Sequence, residues 1–187
     1  KERVPLSVVG NFTIRQHLAG LRKNDQLLMM LVMSFLLVNI LCIRGGGYMY
    51  FISYVLEGGA GYMSLFFGVL TIAGIAGAMI VNPLSRRFDM VRLYYYTNLI
   101  LVVFGIAMWF LPTGPQYRML WLGCIALNSV ILGFTLPLHF SIMAFADDYG
   151  EWKNGVRSSG MNFAFNLFCI KLSWASSGGI ISILLIM

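Results

Sequence analysis

The sequence predicts an all-α membrane protein with five spanning helices, and three observations carry that prediction. Of its 187 residues, 59% are hydrophobic and only 11% are charged, with a mean hydropathy of +0.80. A single core of this size cannot hide so much apolar surface, which therefore calls for lipid. Five stretches are long enough to cross the ~30 Å of hydrocarbon in a bilayer. Their apolar runs are continuous, without two-residue alternation, which argues for helices rather than a barrel.

Taken in order, residues 1–26 are polar and basic. Ile14, Leu18 and Leu21 fall at i, i+4 and i+7, with Thr13 as an N-cap, so this segment reads as a linker carrying an amphipathic surface helix. The first span covers 27–56 and is interrupted by Arg44 and then Gly45-Gly46-Gly47. Each glycine weakens a helix by roughly 1 kcal/mol relative to alanine, so a bend or unwound turn is expected there. Tyr48, Tyr50, Phe51 and Tyr54 follow. Such a break beside an intramembrane charge suits a cavity-lining helix, although Arg44 could equally pair with an acid elsewhere in the protein. The second span covers 62–81 and the third 93–111, joined by a basic turn with Arg86, Arg87 and Arg92.

The fourth span, 119–146, contains Pro137, which should kink it. Asn128 and Thr135 lie seven residues apart on one face, open both to packing and to substrate contact. His139 has no ligand-spaced partner and reads as a structural histidine. A charged loop from Asp147 to Arg157 leads into the fifth span, 159–187. Lys171 lies well inside that span, where an unpaired lysine costs roughly 2.5–3.5 kcal/mol and must face protein or water. At 100° per residue, Asn162, Asn166, Cys169, Ser173, Ser176 and Ser177 share one stripe. Lys171 lies opposite, with Gly160, Ala164, Trp174, Ala175 and Gly178. The preferred arrangement lets the Lys171/Trp174 face line a cavity while the Asn/Ser stripe packs; the reverse stays open. Trp174 suits either lining that cavity or anchoring at an interface.

Lys1, Arg3, Arg15, Arg22, Lys23, Arg86, Arg87, Arg92, Lys153 and Arg157 fall on one side of this topology, and Arg118 alone on the other. Basic residues collect on the cytoplasmic side, which places the N-terminal side there. The net charge of +6 is explained by this bias and implies no nucleic-acid partner. Cys42, Cys124 and Cys169 lie within apolar runs and read as buried thiols rather than a disulfide framework. No metal-ligand or hydrolytic motif is present, so the chain is not read as an enzyme and no cofactor is expected. It opens on Lys1 without a secretory signal and stops within an apolar run, as expected of a piece of a longer protein.

The densest polar feature, Asp147-Asp148-Tyr149-Gly150-Glu151-Trp152-Lys153-Asn154-Gly155-Val156-Arg157, together with Lys171, resembles the glycoside–pentoside–hexuronide:cation symporters. These form a branch of the major facilitator superfamily, and their loop between helices ten and eleven reads A-D-x-x-D-Y-G-E-W-K-T-G-x-R. Asp148, Tyr149, Gly150, Glu151, Trp152, Lys153, Gly155 and Arg157 match that pattern. The pattern's first aspartate falls on Phe145 and its threonine on Asn154, with Asp147 as a displaced substitute whose role stays open.

The resemblance implies helices seven to eleven of a twelve-helix transporter, preceded by the central cytoplasmic linker. It implies cation-coupled sugar or glycoside symport by alternating access in a bacterial inner membrane. The coupling cation, Na⁺ or H⁺, would be bound mainly by the N-terminal half, which with the last helix and the bilayer completes the expected partners. Lys171, Trp174, Arg44, Tyr50 and Asn128 are the expected substrate-side residues. Asp148, Glu151, Lys153, Arg157, Arg86 and Arg87 are expected to form a cytoplasmic charge network that gates without touching sugar. A lipid-type transporter of the same fold and a membrane-embedded enzyme or complex subunit are the alternatives.

Overall fold

The computed structural model describes residues 23–154 and 159–186, and its regular elements are all helical. Helix α1 spans Asp25–Tyr50 and runs directly into a π-helical turn, Phe51–Val55. Helices α2 (Ala60–Ser85) and α3 (Met90–Trp109) follow; a 3₁₀ turn at Pro115–Tyr117 then leads into α4 (Arg118–Asn154), and α5 spans Ser159–Ile186. All five long helices are long and apolar enough to cross a membrane. Helix is the backbone's answer to an apolar solvent, because it satisfies every peptide group within the segment. The amphipathic segment around Thr13–Leu21 and the motif arginine Arg157 lie outside the described residues.

Two expectations need correction. Gly45, Gly46 and Gly47 lie within continuous α-helix, with no unwound turn. In an apolar run, leaving peptide groups unpaired costs more than the roughly 1 kcal/mol per glycine that favours uncoiling. The irregularity appears one turn later, as the wider turn Phe51–Val55 among the aromatic residues. The segment from Asp147 to Asn154 is likewise helix instead of loop, since α4 continues to Asn154. Glu151, Trp152 and Lys153 carry on the helix beyond the apolar stretch without a proline to stop it. Pro137 sits inside this same helix.

The chain divides into two compact units, one formed by residues up to Arg44 with those from Met143 onward, the other by Gly45–Ile142. In the second unit, Ile52, Leu56, Phe66, Met108, Trp121 and Ile125 form the larger apolar cluster. Phe51 meets Trp121 at 4.5 Å between ring centroids, and Tyr48 meets Phe66 edge-on at 5.4 Å. Arg118 pins the turn above this cluster. Its Nε donates to Leu56 O at 2.7 Å, Nη2 donates to Glu57 O, and the guanidinium lies 5.9 Å from the Tyr62 ring centroid. Glu57 adopts a left-handed conformation (φ 49°), uncommon for a residue with a side chain, and these bonds hold it there. A second cluster, Val81, Tyr94 and Leu138, joins α2, α3 and α4, with His139 Nδ1 3.3 Å from the Tyr94 hydroxyl.

Between those clusters α2 and α4 approach so closely that only glycine fits. A methyl group at Gly77 would run into the Val130 carbonyl, and one at Gly133 into the Gly74 carbonyl and within 3.0 Å of Ala78 N. Small residues facing each other are the usual way for membrane helices to gain close van der Waals contact.

Candidate functional site

The first unit pairs α1 with α5, side by side and running in the same direction, along a polar seam. Ser34 Oγ donates to Asn166 Oδ1. Further along, Ser173 Oγ donates to Phe35 O at 2.6 Å, and Asn39 Nδ2 reaches Ser176 Oγ at 2.7 Å. Near the start of α5, Asn162 Nδ2 donates to Asp147 on α4. Asn162, Asn166, Ser173 and Ser177 are all buried. The Asn/Ser stripe of α5 is therefore its packing face, and hydrogen bonds rather than lipid-indifferent apolar contacts fix its register against α1. Replacing Asn39 with leucine strips its bonds to Ser176 Oγ and to Ser173 O (3.4 Å) and should lower the stability of the full-length protein by about 1–2 kcal/mol. Thermal unfolding in detergent against an exposed control such as Ile40→Leu checks this.

The opposite face of α5 is open. Lys171 and Trp174 are exposed, Trp174 to 61%, and the residues around them are small: Gly160, Ala164, Ala175 and Gly178. Lys171 stands twelve positions past the start of α5, roughly 18 Å along the helix, and so near mid-membrane. Among the described residues it has no hydrogen-bond or ion-pair partner. A cation at that depth needs a polar neighbour, and this face leaves room for one.

The other expected substrate-side residues are placed differently. Arg44 is half-buried on α1. Tyr50 stacks on Tyr54 with centroids 6.4 Å apart and rings 7° from parallel, both exposed, which forms a flat apolar surface beside the π turn. Asn128 and Thr135 are each only 1% exposed, inside the second unit, so in this arrangement they offer a ligand no surface.

At the end of α4, Asp148 is exposed, Glu151 half-buried, and Lys153 bonds Asp25 Oδ1 at 2.6 Å. Lys153 also lies 5.3 Å from the Tyr149 ring centroid, and Tyr149 tilts against Trp152. Arg86 and Arg87 follow α2 in the second unit and are exposed. Among the described residues no group of three or more His, Cys, Asp or Glu is placed to hold a metal ion.

Sequence reasoning gave no role to five of these participants. Asn24 and Asp25 precede an apolar run, a position that favours capping residues, and Asn24 Oδ1 does accept from Leu27 N at 3.1 Å. Asp147, left without a role, is buried against Asn162. Ser34 and Asn39 are polar residues inside an apolar span, the signal that would have marked α1 as the partner of α5.

Compared with known proteins, the chain matches the family described as MFS/sugar transport protein over residues 3–187. The inner membrane symporter YicJ of Escherichia coli strain K12 is 30% identical over 172 residues, which are 90% of this chain and 36% of that protein. A 29.9 kDa protein of Pseudescherichia vulneris, named for the crtE 3' region, is 31% identical over 136 residues, 73% of this chain and 48% of its own length. A second Escherichia coli protein, named "Putative glycoside/cation symporter YagG", is 25% identical over 183 residues, 97% of this chain and 39% of that protein. The chain thus spans less than half the length of each of these relatives.

Proposed function

Because this chain belongs to the MFS/sugar transport protein family, we propose that it forms part of an inner-membrane symporter that couples uptake of a glycoside or related sugar to inward flow of Na⁺ or H⁺. The observation that carries the proposal is Lys171: a cation near mid-span, on an open face of small residues, opposite the face that packs on α1. Its ammonium has three donors for sugar hydroxyls or for a carboxylate of the N-terminal half, and Trp174, one turn on, adds a flat apolar ring. The names of two relatives, a symporter and a glycoside/cation symporter, point the same way.

In this reading the N-terminal half holds the coupling cation, and the two halves rock about a midplane site, exposing it alternately. The protein is a carrier rather than an enzyme, so sugar should leave unchanged. Uptake of radiolabelled glycosides, pentosides and hexuronides by cells expressing the full-length gene tests the proposal. Accumulation of at least one of them, chemically intact, is expected. Accumulation of lipid analogues alone would favour the lipid-type alternative, and a chemically altered product would favour an enzyme.

The same proposal fixes topology. Gly59 has open space around it and should accept cysteine without strain; Phe88, in the turn after α2, is exposed. In intact cells, a membrane-impermeant thiol reagent should label Gly59→Cys and spare Phe88→Cys. Labelling in the reverse pattern overturns the assigned orientation.

A further inference from the structure

The end of α4 grips the residues that lead into α1, and the grip has two parts. Asn24 is 2% exposed and uses its side chain twice, accepting from Leu27 N to cap α1 and donating through Nδ2 to Ala146 O on α4 at 2.9 Å. Gly150, one helical turn beyond Ala146, makes this possible: a β-carbon there would run into the Asn24 amide and lie 3.2 Å from its Cγ. The next residue, Asp25, is exposed and accepts from Lys153, whose ammonium lies over the Tyr149 ring. Positions 146, 150 and 153 follow one another at helical spacing, so they form a single stripe along the last turns of α4.

We propose that Gly150 and Lys153 are positioning residues, and that the Tyr149–Lys153 segment is a receptor for the Asn24–Asp25 junction, so that the entrance of α1 and the end of α4 move as one body. The glycine supplies the space, the asparagine the buried tie, and the ion pair an outer clasp. Lys153 is then committed to Asp25, within the same part of the protein, instead of to an acid across the transporter. A buried amide bonded on both sides resists opening, whereas an exposed ion pair is weak and can open without unfolding its helices. The clasp can therefore release while the tie holds.

Limited digestion of the purified full-length protein with a lysine-specific endoprotease tests the proposal without any substrate. Lys23 is exposed and directly precedes the junction, so the rate of cleavage after Lys23 reports how firmly the junction is held. Asp25→Arg and Lys153→Asp should each speed that cleavage about threefold or more, the pair Asp25→Arg/Lys153→Asp should return it close to the original rate, and Lys153→Arg should leave it unchanged. Gly150→Ala should speed it further, because it displaces the buried amide. Both charge variants alter exposed side chains, so unchanged melting temperatures are expected of them, which separates release of the junction from general unfolding. If the single charge variants cleave at the original rate, or the swapped pair is no slower than the singles, the proposal is wrong.

Discussion

Replacing Gly133 with leucine should prevent the full-length protein from accumulating in the membrane, and Gly133→Ala should already destabilise it by about 3 kcal/mol or more. The neighbour of a new β-carbon at this position is backbone, the Gly74 carbonyl and Ala78 N, so no rotamer change can relieve the collision. Helices α2 and α4 would have to move apart along the whole crossing, and Gly77, facing the Val130 carbonyl, would lose its contact as well. Gly123 on the same helix provides the control, since nothing lies within 4 Å of its β-position. Alanine there should be neutral or slightly stabilising, because glycine inside a helix is disfavoured by up to about 1 kcal/mol. Equal melting temperatures for Gly133→Ala and Gly123→Ala would show that the close crossing is not needed.

Replacing Lys171 with alanine should abolish concentrative uptake while leaving the protein folded. Loss of a packed residue cannot explain such a result, because Lys171 is exposed and the α5 bonds to α1 come from the other face. Lys171→Arg should rescue poorly, since a planar five-donor fork does not replace a compact ammonium. Trp174→Ala should act mainly on apparent sugar affinity, by roughly three- to tenfold, if its ring contributes about 1 kcal/mol of stacking. Equilibrium binding and initial-rate measurements on the same preparations separate the two effects. Normal accumulation by Lys171→Ala would move the cavity wall to another face or helix.

The spans were legible because lipid imposes a simple rule, a long apolar run with its peptide groups paired within the helix. The pairing of helices was less so. Lys171 and the Asn/Ser stripe could be drawn on opposite faces of α5 from periodicity, but which face packed depended on Ser34 and Asn39, more than 130 residues away. The motif from Asp147 was visible as a cluster of charge, yet its shape was misjudged. Charge at the end of a span suggests a loop, whereas Gly150 and Lys153 serve a helix that meets Asn24 and Asp25. Gly45-Gly46-Gly47 misled for the complementary reason, since local propensity is a small term beside the need to pair peptide groups in an apolar medium. Gly77 and Gly133 looked no different in sequence from Gly123 and Gly105, and only the approach of a second backbone distinguishes them.

The most direct measurement is sugar accumulation by the full-length protein in proteoliposomes, with the Na⁺ and H⁺ gradients imposed one at a time. The account predicts that one inward cation gradient drives a glycoside above its external concentration, and that collapsing this gradient releases the sugar. It also predicts that the Lys171→Ala protein, reconstituted at equal density, shows neither response. Sugar that merely equilibrates under both gradients, or concentrates equally with Lys171→Ala, would contradict it.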